Sequence, residues 1–363
     1  MKITDATVTP LAVPRQSALT TSYGAGKDAA ETVLVQLHTD EGLVGIGQTS
    51  VDAPYYGESM EGIVTNIRKH FAPALIGEDP LNIEYLNQKF KSTLSGHLNS
   101  QSAVELALWD LKGKALGVPV YQLLGGRVRP GTPLMGFVTH GEPQAMAEDA
   151  NRVLAETPYS MLKMKVGMEP AEDIARYQAV AEAVAGRALI QVDGNRGYTL
   201  PEALPTLTTM QEIGGLGAIE QPVAALSDMK ELSRRLSIPL MSDESIFVLE
   251  DAMAVIRERA AMLALMKVTK HGGILTVQKI AALFDAAGLG LSIAIYYDLI
   301  GVATAHLSAA LPCATWPSPA TPLEDTILTQ PFEPDGLVLR PPEGPGFGVD
   351  LDPEKVEKYT VDL

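Results

Sequence analysis

From about residue 133 onward, short apolar segments alternate with helical patterns at regular intervals. The apolar segments read as strands that end at Thr139, Lys165, Asp193, Glu220, Asp243 and Lys267, with two more near Ile295 and Thr315. The steps between the five charged ends are 28, 27, 23 and 24 residues, each about one strand-plus-helix unit. Such alternation indicates a parallel sheet with crossover helices, and eight strands predict a closed barrel. An open doubly wound sheet is the weaker alternative, because it brings only some strand ends together.

Three of these strand ends are carboxylates. They stand in Val-Asp-Gly-Asn195, Ile-Glu-Gln-Pro222 and Ser-Asp-Glu-Ser245. In a parallel barrel the C-terminal strand ends converge on one mouth, where Asp193, Glu220 and Asp243 would repel one another unless a cation lay among them. Three hard oxygen ligands suit Mg²⁺. Glu244 could replace Asp243, but alternation along the strand points the two in opposite directions, so only one is expected to be a ligand.

The other two charged ends are lysines, which predict proton transfer. Lys163 and Lys165 lie two positions apart in a strand and point to the same face, where burial and like charge lower an amine pKa. We predict that Lys165 is a general base with Lys163 as its electrostatic neighbour, and that Lys267 lies across the three acids from it. A metal-stabilised enolate between two amines suits removal of the α-proton of a carboxylate. Lys270 and Lys279 are predicted to be surface lysines.

The first part of the chain has a different pattern. Residues 1 to about 50 predict a small antiparallel sheet, residues 59–116 predict helices, and residues 119–129 form the joint to the barrel. We therefore expect an α+β capping domain at residues 1–125, completed by about 325–363, and a barrel domain at 126–324. Two polar stretches, residues 20–27 and 52–57, are of the kind that covers active sites.

Composition narrows the possible functions. The net charge of −16 and the lack of a basic run argue against nucleic-acid binding. The single Cys313 excludes an intrachain disulfide, and no apolar run has signal-peptide or membrane-spanning length, so we expect a cytoplasmic protein. The histidines show no metal-ligand spacing, and neither a dinucleotide fingerprint nor a Walker loop is present.

The assembled motifs resemble the enolase superfamily, and within it the muconate lactonizing enzyme subgroup of the mandelate racemase/muconate lactonizing enzyme family. The motifs that carry the resemblance are Ala107-Leu-Trp-Asp-Leu-Lys-Gly-Lys114, Leu123-Leu-Gly-Gly126, Lys-Met-Lys165, Val-Asp-Gly-Asn195, Ile-Glu-Gln-Pro222, Ser-Asp-Glu-Ser245, Lys-Val-Thr-Lys-His-Gly-Gly273 and Gly-Pro-Gly-Phe-Gly348.

The resemblance implies a modified (β/α)7β TIM barrel under an α+β cap. It also implies Mg²⁺ on Asp193, Glu220 and Asp243, with acid/base roles for Lys165 and Lys267. Loops near residues 15–30 and 50–60 would influence the choice of a small carboxylate substrate, and homo-oligomers, from dimer to octamer, would be expected.

Two departures from the family pattern bear on the activity. Tyr297, followed by Asp298, stands where many relatives carry a glutamate after the seventh strand, and Ala314-Thr-Trp-Pro-Ser-Pro319 lacks an acidic motif. These departures disfavour cycloisomerase and dipeptide epimerase activity. We predict a racemase or epimerase of an N-substituted or betaine-like amino-acid derivative, with dehydration of a hydroxylated acid such as a hydroxyproline as the alternative. A non-catalytic paralogue is less expected, because all five charged ends are present.

An aromatic and acidic wall is the hypothesis for substrate binding. A substituted ammonium over aromatic faces gains roughly 0.5–2 kcal/mol, and Tyr296, Tyr297 and Trp316 with Asp298 would provide such a wall. The alternative is that these aromatics pack the barrel. The full predicted substrate-binding set is Tyr23, Tyr55, Tyr56, Asn195, Tyr296, Tyr297, Asp298 and Trp316.

Overall fold

The computed structural model describes residues 1–16, 28–320 and 322–363, so the predicted contact residue Tyr23 lies outside the described residues. The chain begins with an antiparallel sheet of three strands in the order β1-β2-β3. These are β1 (Ile3–Pro14), β2 (Ala29–Thr39) and β3 (Val44–Ser50). Their many β-branched and apolar residues form one wall of the main core, as the alternating pattern predicts.

Helices cover this sheet. They are α1 (Ala53–Tyr56), α2 (Met60–Asn66), α3 (Ala72–Leu75), α4 (Ile83–Thr93), α5 (Leu98–Leu116) and α6 (Val120–Leu123), with a π-helical turn at Ile67–Phe71 between α2 and α3. Helix α5 is buried along most of its length and ends at Gly117, whose φ of 68° suits glycine. It lies close against β3, because a Cβ at Gly47 would overlap the carbonyl of Ala103.

Eight parallel strands and their helices follow. In chain order they are β4 (Thr132–Phe137), α7 (Pro143–Glu156), β5 (Met161–Lys165), α8 (Pro170–Val184), β6 (Leu189–Asp193), α9 (Leu200–Ile213), β7 (Leu216–Glu220), α10 (Leu226–Arg235), β8 (Leu240–Ser242), α11 (Leu249–Glu258), β9 (Leu263–Met266), α12 (Ile274–Ala286), β10 (Gly290–Ile293), α13 (Asp298–Ala310) and β11 (Ser318–Pro319). Three predicted strand ends, Lys165, Asp193 and Glu220, are the observed ends. Asp243 and Lys267 each follow their strand by one residue.

The seam between the last and first barrel strands is short. The strand order is β10-β9-β8-β7-β6-β5-β4-β11, and β11 pairs with β4 through Ser318 and Pro319. A parallel bridge between Ser292 and Trp316 joins β10 to the segment that leads into β11. The sheet is therefore a nearly closed parallel barrel, which confirms the predicted modified TIM barrel beside a separate N-terminal sheet.

The end of the chain returns to both parts of the molecule. Strand β12 (Val338–Leu339) pairs antiparallel with β4, and helix α14 (Pro353–Tyr359) packs against β1. A bridge joins Leu11 to Thr360, and the backbone N–H of Val120 donates to the carbonyl of Gly346 at 2.9 Å. The predicted domain boundaries stay predictions, although these contacts agree with a cap completed by the end of the chain.

A buried carboxylate joins α5 to the barrel. Glu105 accepts hydrogen bonds from the backbone N–H groups of Ile274 and Leu275, at 2.8 and 2.9 Å, and from the indole N–H of Trp109 at 2.8 Å. Burial raises the pKa of Glu105 to about 7, against the lowering effect of these three bonds. Gly273 leaves the space for this carboxylate, since a Cβ there would overlap it.

No helix in residues 1–16, 28–320 and 322–363 combines the length and the apolar character that crossing a bilayer demands.

Candidate active site

A pocket of about 210 Å³ lies at the C-terminal ends of the barrel strands. Barrel residues in its lining include Lys163, Lys165, Asp193, Asn195, Glu220, Asp243 and Lys267. Arg15, Asp52 and Tyr56 line it from the N-terminal part, while Tyr296 and Tyr297 contribute from the segment after β10. The structure thus brings together all three predicted carboxylates and all three predicted catalytic lysines.

On one side of the pocket, two lysines hold two carboxylates. Lys163 Nζ lies 2.9 Å from Asp193 Oδ2 and 2.8 Å from Glu220 Oε2. Lys165 Nζ donates to Asp193 Oδ2 and to Asn195 Oδ1, both at 2.6 Å. Asp193 and Glu220 are register partners on β6 and β7, which explains why one ammonium group reaches both.

The opposite side is organised around Asp243. Its Oδ2 accepts from Lys267 Nζ at 2.6 Å, and its Oδ1 accepts from Lys270 Nζ and Tyr55 Oη, both at 2.7 Å. Lys267 also donates to Tyr55 Oη at 2.6 Å and lies 3.9 Å from the centre of that ring. Burial and the charge of Asp243 raise the pKa of Tyr55 well above its usual value, so the phenol keeps its proton.

Burial and ion pairing have opposite effects on the pKa values of the pocket lysines. Burial lowers the pKa of Lys163, but the charges of Asp193 and Glu220 outweigh it and leave the pKa raised. At Lys267 the charge of Asp243 similarly outweighs burial, and the pKa is again raised. Lys163 therefore keeps its positive charge beside these carboxylates. The predicted role of Lys165 as the base with Lys163 as its electrostatic neighbour stays a prediction.

The three carboxylates differ in how well the site stabilises their charged forms. Neighbouring lysines outweigh burial and lower the pKa of Asp193 and of Asp243. Burial, followed by the charges of Asp193 and Asp243, raises the pKa of Glu220 to about 8 even though Lys163 lowers it. Three hard oxygen donors on adjacent strand ends are the donor type that a divalent cation prefers. The residues fit such a cation in donor type and lie on neighbouring strand ends.

In this structure the oxygens of the three carboxylates face lysine side chains. Over the described ranges, no group of three or more acidic, histidine or cysteine side chains is arranged to hold a metal ion. Asp193 and Glu220 face Lys163, and Asp243 faces Lys267 and Lys270. These ammonium groups supply the compensating charge, so cation binding requires the carboxylates to exchange lysine contacts for metal contacts.

Two sequence predictions about this region are wrong. Lys270 is not a surface lysine, because it is only 1% exposed and also donates to the carbonyl of Asp243 at 2.5 Å. Glu244 does not point away from the mouth, since its Oε1 accepts from Asn195 Nδ2 at 3.0 Å. The alternation argument failed there because β8 ends at Ser242 and the chain turns immediately afterwards.

The predicted aromatic and acidic wall is only partly assembled. Tyr296 and Tyr297 line the pocket, and the hydroxyls of Tyr296 and Tyr56 are hydrogen-bonded. Trp316 instead packs inside the barrel, with its indole N–H donating to Gln191 Oε1 at 2.7 Å. Asp298 lines a separate cavity of about 260 Å³ and accepts from Thr326, so the structure does not bring it to the lysines.

Sequence reasoning missed Arg15 and Gln191. Arg15 lines the pocket, with its guanidinium carbon 5.2 Å from the centre of the Tyr297 ring and Nη2 donating to the Tyr297 hydroxyl at 3.4 Å. Gln191 donates to Glu220 Oε2 at 2.6 Å. The available signals were a basic residue just before a predicted lid loop and a polar residue at an inward position of β6.

Comparison with known families agrees with this geometry. Residues 3–125 match the N-terminal domain model of the mandelate racemase / muconate lactonizing enzyme family, and residues 145–356 match the enolase C-terminal domain-like model. The chain belongs to the mandelate racemase / muconate lactonizing enzyme family of the enolase superfamily, and it is an enzyme.

Individual relatives narrow the class of reaction. The chain is 31% identical to an N-succinyl-L-Arg/Lys racemase of Bacillus cereus, over 99% of this chain and 98% of the relative. It is also 31% identical to muconate cycloisomerase 1-1 of Acinetobacter lwoffii, over 97% and 94%. The crystal structure of the Bacillus cereus racemase matches with a TM-score of 0.95 at 29% identity, covering 100% of this chain and 99% of the other.

A dipeptide epimerase of Enterococcus faecalis, solved with Mg and the dipeptide L-Leu-L-Tyr, matches with a TM-score of 0.88 at 28% identity, over 96% of this chain and 99% of the other. These relatives are all isomerases of the superfamily. The racemase and the epimerase support racemase or epimerase chemistry, and the Mg in the epimerase structure suggests divalent-metal binding in the family.

Proposed function

We propose that the protein is a Mg²⁺-dependent racemase or epimerase that moves the α-proton of an N-substituted amino acid. Asp193, Glu220 and Asp243 would hold the metal. The observation that carries the proposal is the position of Lys165 and Lys267, which line one pocket from β5 and from the end of β9, with the three carboxylate-bearing strand ends between them.

The roles of the residues follow from this arrangement. When bound, the metal supplies the positive charge that makes an α-proton acidic enough to remove. One lysine, as the neutral amine, takes the α-proton from one face, and the ammonium of the other lysine delivers a proton to the opposite face. Lys163 keeps its charge between Asp193 and Glu220, where it helps to orient a substrate carboxylate.

The nature of the N-substituent follows from the wall beside Tyr297. The Arg15 guanidinium already lies against the Tyr297 ring and donates to its hydroxyl. A substituted ammonium would be repelled there, whereas a neutral or anionic acyl group would be accepted. With Trp316 inside the barrel, we therefore favour N-acyl over betaine-like substrates. The N-succinyl substrates named for the Bacillus cereus racemase are of this type.

Two other reactions would give different products. Lactonisation is a second candidate because a muconate cycloisomerase is as similar in sequence as the racemase. It would consume a muconate without interconverting stereoisomers. Dehydration of a hydroxylated acid would yield a keto acid or an imine. The cytoplasmic location and homo-oligomeric assembly expected from the sequence stay predictions.

The test is a screen of N-acyl amino acids, betaines and hydroxy acids in deuterated water with Mg²⁺, read by mass and polarimetry. We expect solvent deuterium in both stereoisomers of an N-acyl amino acid, and loss of turnover after chelation. Lys165→Ala and Lys267→Ala should each abolish interconversion, while Lys279→Ala, at an exposed lysine paired with Glu84, should not. The proposal fails if both of the first two variants exchange the α-proton of both stereoisomers at the parental rate.

A further inference from the structure

The two lysines of the pocket have matching surroundings. Each donates one hydrogen bond of 2.6 Å to a carboxylate, Asp193 for Lys165 and Asp243 for Lys267. Each donates a second bond of 2.6 Å to an uncharged oxygen, Asn195 Oδ1 for Lys165 and Tyr55 Oη for Lys267. The two neutral partners are distinct, and each serves one lysine.

The neutral partners are themselves held in place. The backbone N–H of Asn195 donates to Asp193 Oδ1 at 3.0 Å, and its Nδ2 donates to Glu244 Oε1 at 3.0 Å. Asn195 also has a φ of 41°, a left-handed conformation that asparagine tolerates better than most residues. Its amide oxygen is therefore fixed toward Lys165.

Tyr55 is fixed from the other part of the fold. It belongs to the short helix α1, and its hydroxyl donates to Asp243 Oδ1 at 2.7 Å while accepting from Lys267. Its ring meets Tyr56 edge-on with centres 4.7 Å apart, and the Lys267 ammonium lies against the ring. The position of Lys267 therefore depends on a residue outside the barrel, whereas both hydrogen-bond partners of Lys165 in the described part of the chain belong to the barrel.

We propose that Tyr55 and Asn195 are positioning residues, each aiming one of the two lysines at its own face of the substrate. The inference rests on the proposed two-base function and revises the sequence interpretation of both residues as substrate contacts. A carboxylate that binds a cation has fewer lone pairs left for a lysine, so the neutral oxygen becomes the fixed partner of the amine. A lysine without it loses the near-attack geometry on which proton transfer depends.

If each lysine has its own positioning residue, proton exchange at one face of the substrate can be impaired without affecting exchange at the other. Removing the Tyr55 hydroxyl should impair proton exchange at the Lys267 face and spare the Lys165 face, and changing Asn195 should do the opposite. A misplacement of about 1 Å can cost roughly a hundredfold in rate, so we expect about a 10- to 100-fold loss on the affected face. A contact with the substrate would instead affect both stereoisomers.

The experiment measures α-proton exchange of each pure stereoisomer of one N-acyl amino acid that the parent turns over, by proton NMR in deuterated water with Mg²⁺. Lys165→Ala and Lys267→Ala first assign each stereoisomer to its lysine, because the remaining lysine still exchanges its own isomer. Tyr55→Phe and Asn195→Ala are then compared with Tyr85→Phe, which removes the hydroxyl of an exposed tyrosine on α4 outside the pocket. Thermal unfolding with and without Mg²⁺ checks folding and metal response.

Opposite, isomer-specific losses in kcat with little change in KM support the inference. Equal losses for both isomers, or a rise in KM alone, overturn it in favour of substrate contacts. Because Tyr55→Phe deletes one oxygen atom, its result decides the inference even if Asn195→Ala does not fold. A parent that exchanges neither isomer of any acid in the screen overturns the proposed function, and the inference with it, which is a distinct result.

Discussion

Replacing Glu105 by glutamine tests how much this buried carboxylate stabilises the contact between α5 and the barrel. The carboxylate accepts three hydrogen bonds from buried N–H groups, two of them at the start of α12. Glutamine offers one oxygen and turns an NH₂ group toward donors, which leaves at least one buried N–H without a partner. An unsatisfied buried donor costs about 1–3 kcal/mol, so the variant should be less stable than the parent in acid.

The size of this difference should change with pH. The folded-state pKa of Glu105 is raised from 4.5 to about 7, so its carboxyl group contributes most to stability below pH 4.5, and this contribution is lost as the pH rises through 7. A difference of 2.5 pKa units corresponds to about 3 kcal/mol in the free energy of unfolding. The parent should therefore lose about 3 kcal/mol relative to Glu105→Gln between pH 4.5 and 8, which would offset or reverse the cost of the substitution.

The assay is urea unfolding of parent and variant from pH 4.5 to 8, followed by circular dichroism and by the fluorescence of Trp109, which bonds to Glu105. Glu84→Gln, at an exposed acid of α4, controls for the loss of one negative charge. A difference between parent and Glu105→Gln that stays constant with pH refutes the reasoning. It would show that the three donors and the α12 N-terminus keep the carboxylate ionised despite its burial.

Two further changes have defined outcomes. Lys270→Met leaves Asp243 without one of its buried ion-pair partners and should lower the free energy of unfolding by about 3–5 kcal/mol, measured by urea titration. Lys270→Arg keeps the charge and should lower it less. Lys279→Met, at an exposed lysine, should stay within about 0.5 kcal/mol of the parent. Burial lowers the pKa of His306 from 6.5 to about 4, so its contribution to stability is complete above pH 6.5 and is lost as the pH falls through 4. His306→Gln should remove about 3 kcal/mol of that acid sensitivity, and an unchanged acid midpoint would contradict it.

The recurrence of charged strand ends predicted the barrel and the pocket correctly because both depend on one simple geometry. Parallel strands separated by helices of similar length must end on the same side, so Lys165, Asp193, Glu220, Asp243 and Lys267 come together whatever the loops do. The catalytic and metal-binding roles of these residues stay predictions.

The expectations that the structure does not bear out concern residues in the turns and segments that follow the barrel strands. Lys270 follows β9 by four residues, and its burial depends on a turn that directs its ammonium to Asp243. Asp298 begins α13 with a φ of 48°, which turns it toward Thr326 and away from the lysines. Trp316 lies inside the barrel because its bridge to Ser292 belongs to the closing seam. Periodicity along the sequence carries no information on such turns.

The side chain of Gln191 links the charged pocket to the closing seam of the barrel. Its Nε2 donates to Glu220, among the most deeply buried charges of the pocket, and its Oε1 accepts from Trp316, next to a closing strand of only two residues. Because one side chain makes both contacts, a shift of Trp316 at the seam would reach the carboxylate of Glu220 through Gln191. The closure of the barrel and the arrangement of its charged pocket are therefore coupled through a single amide side chain.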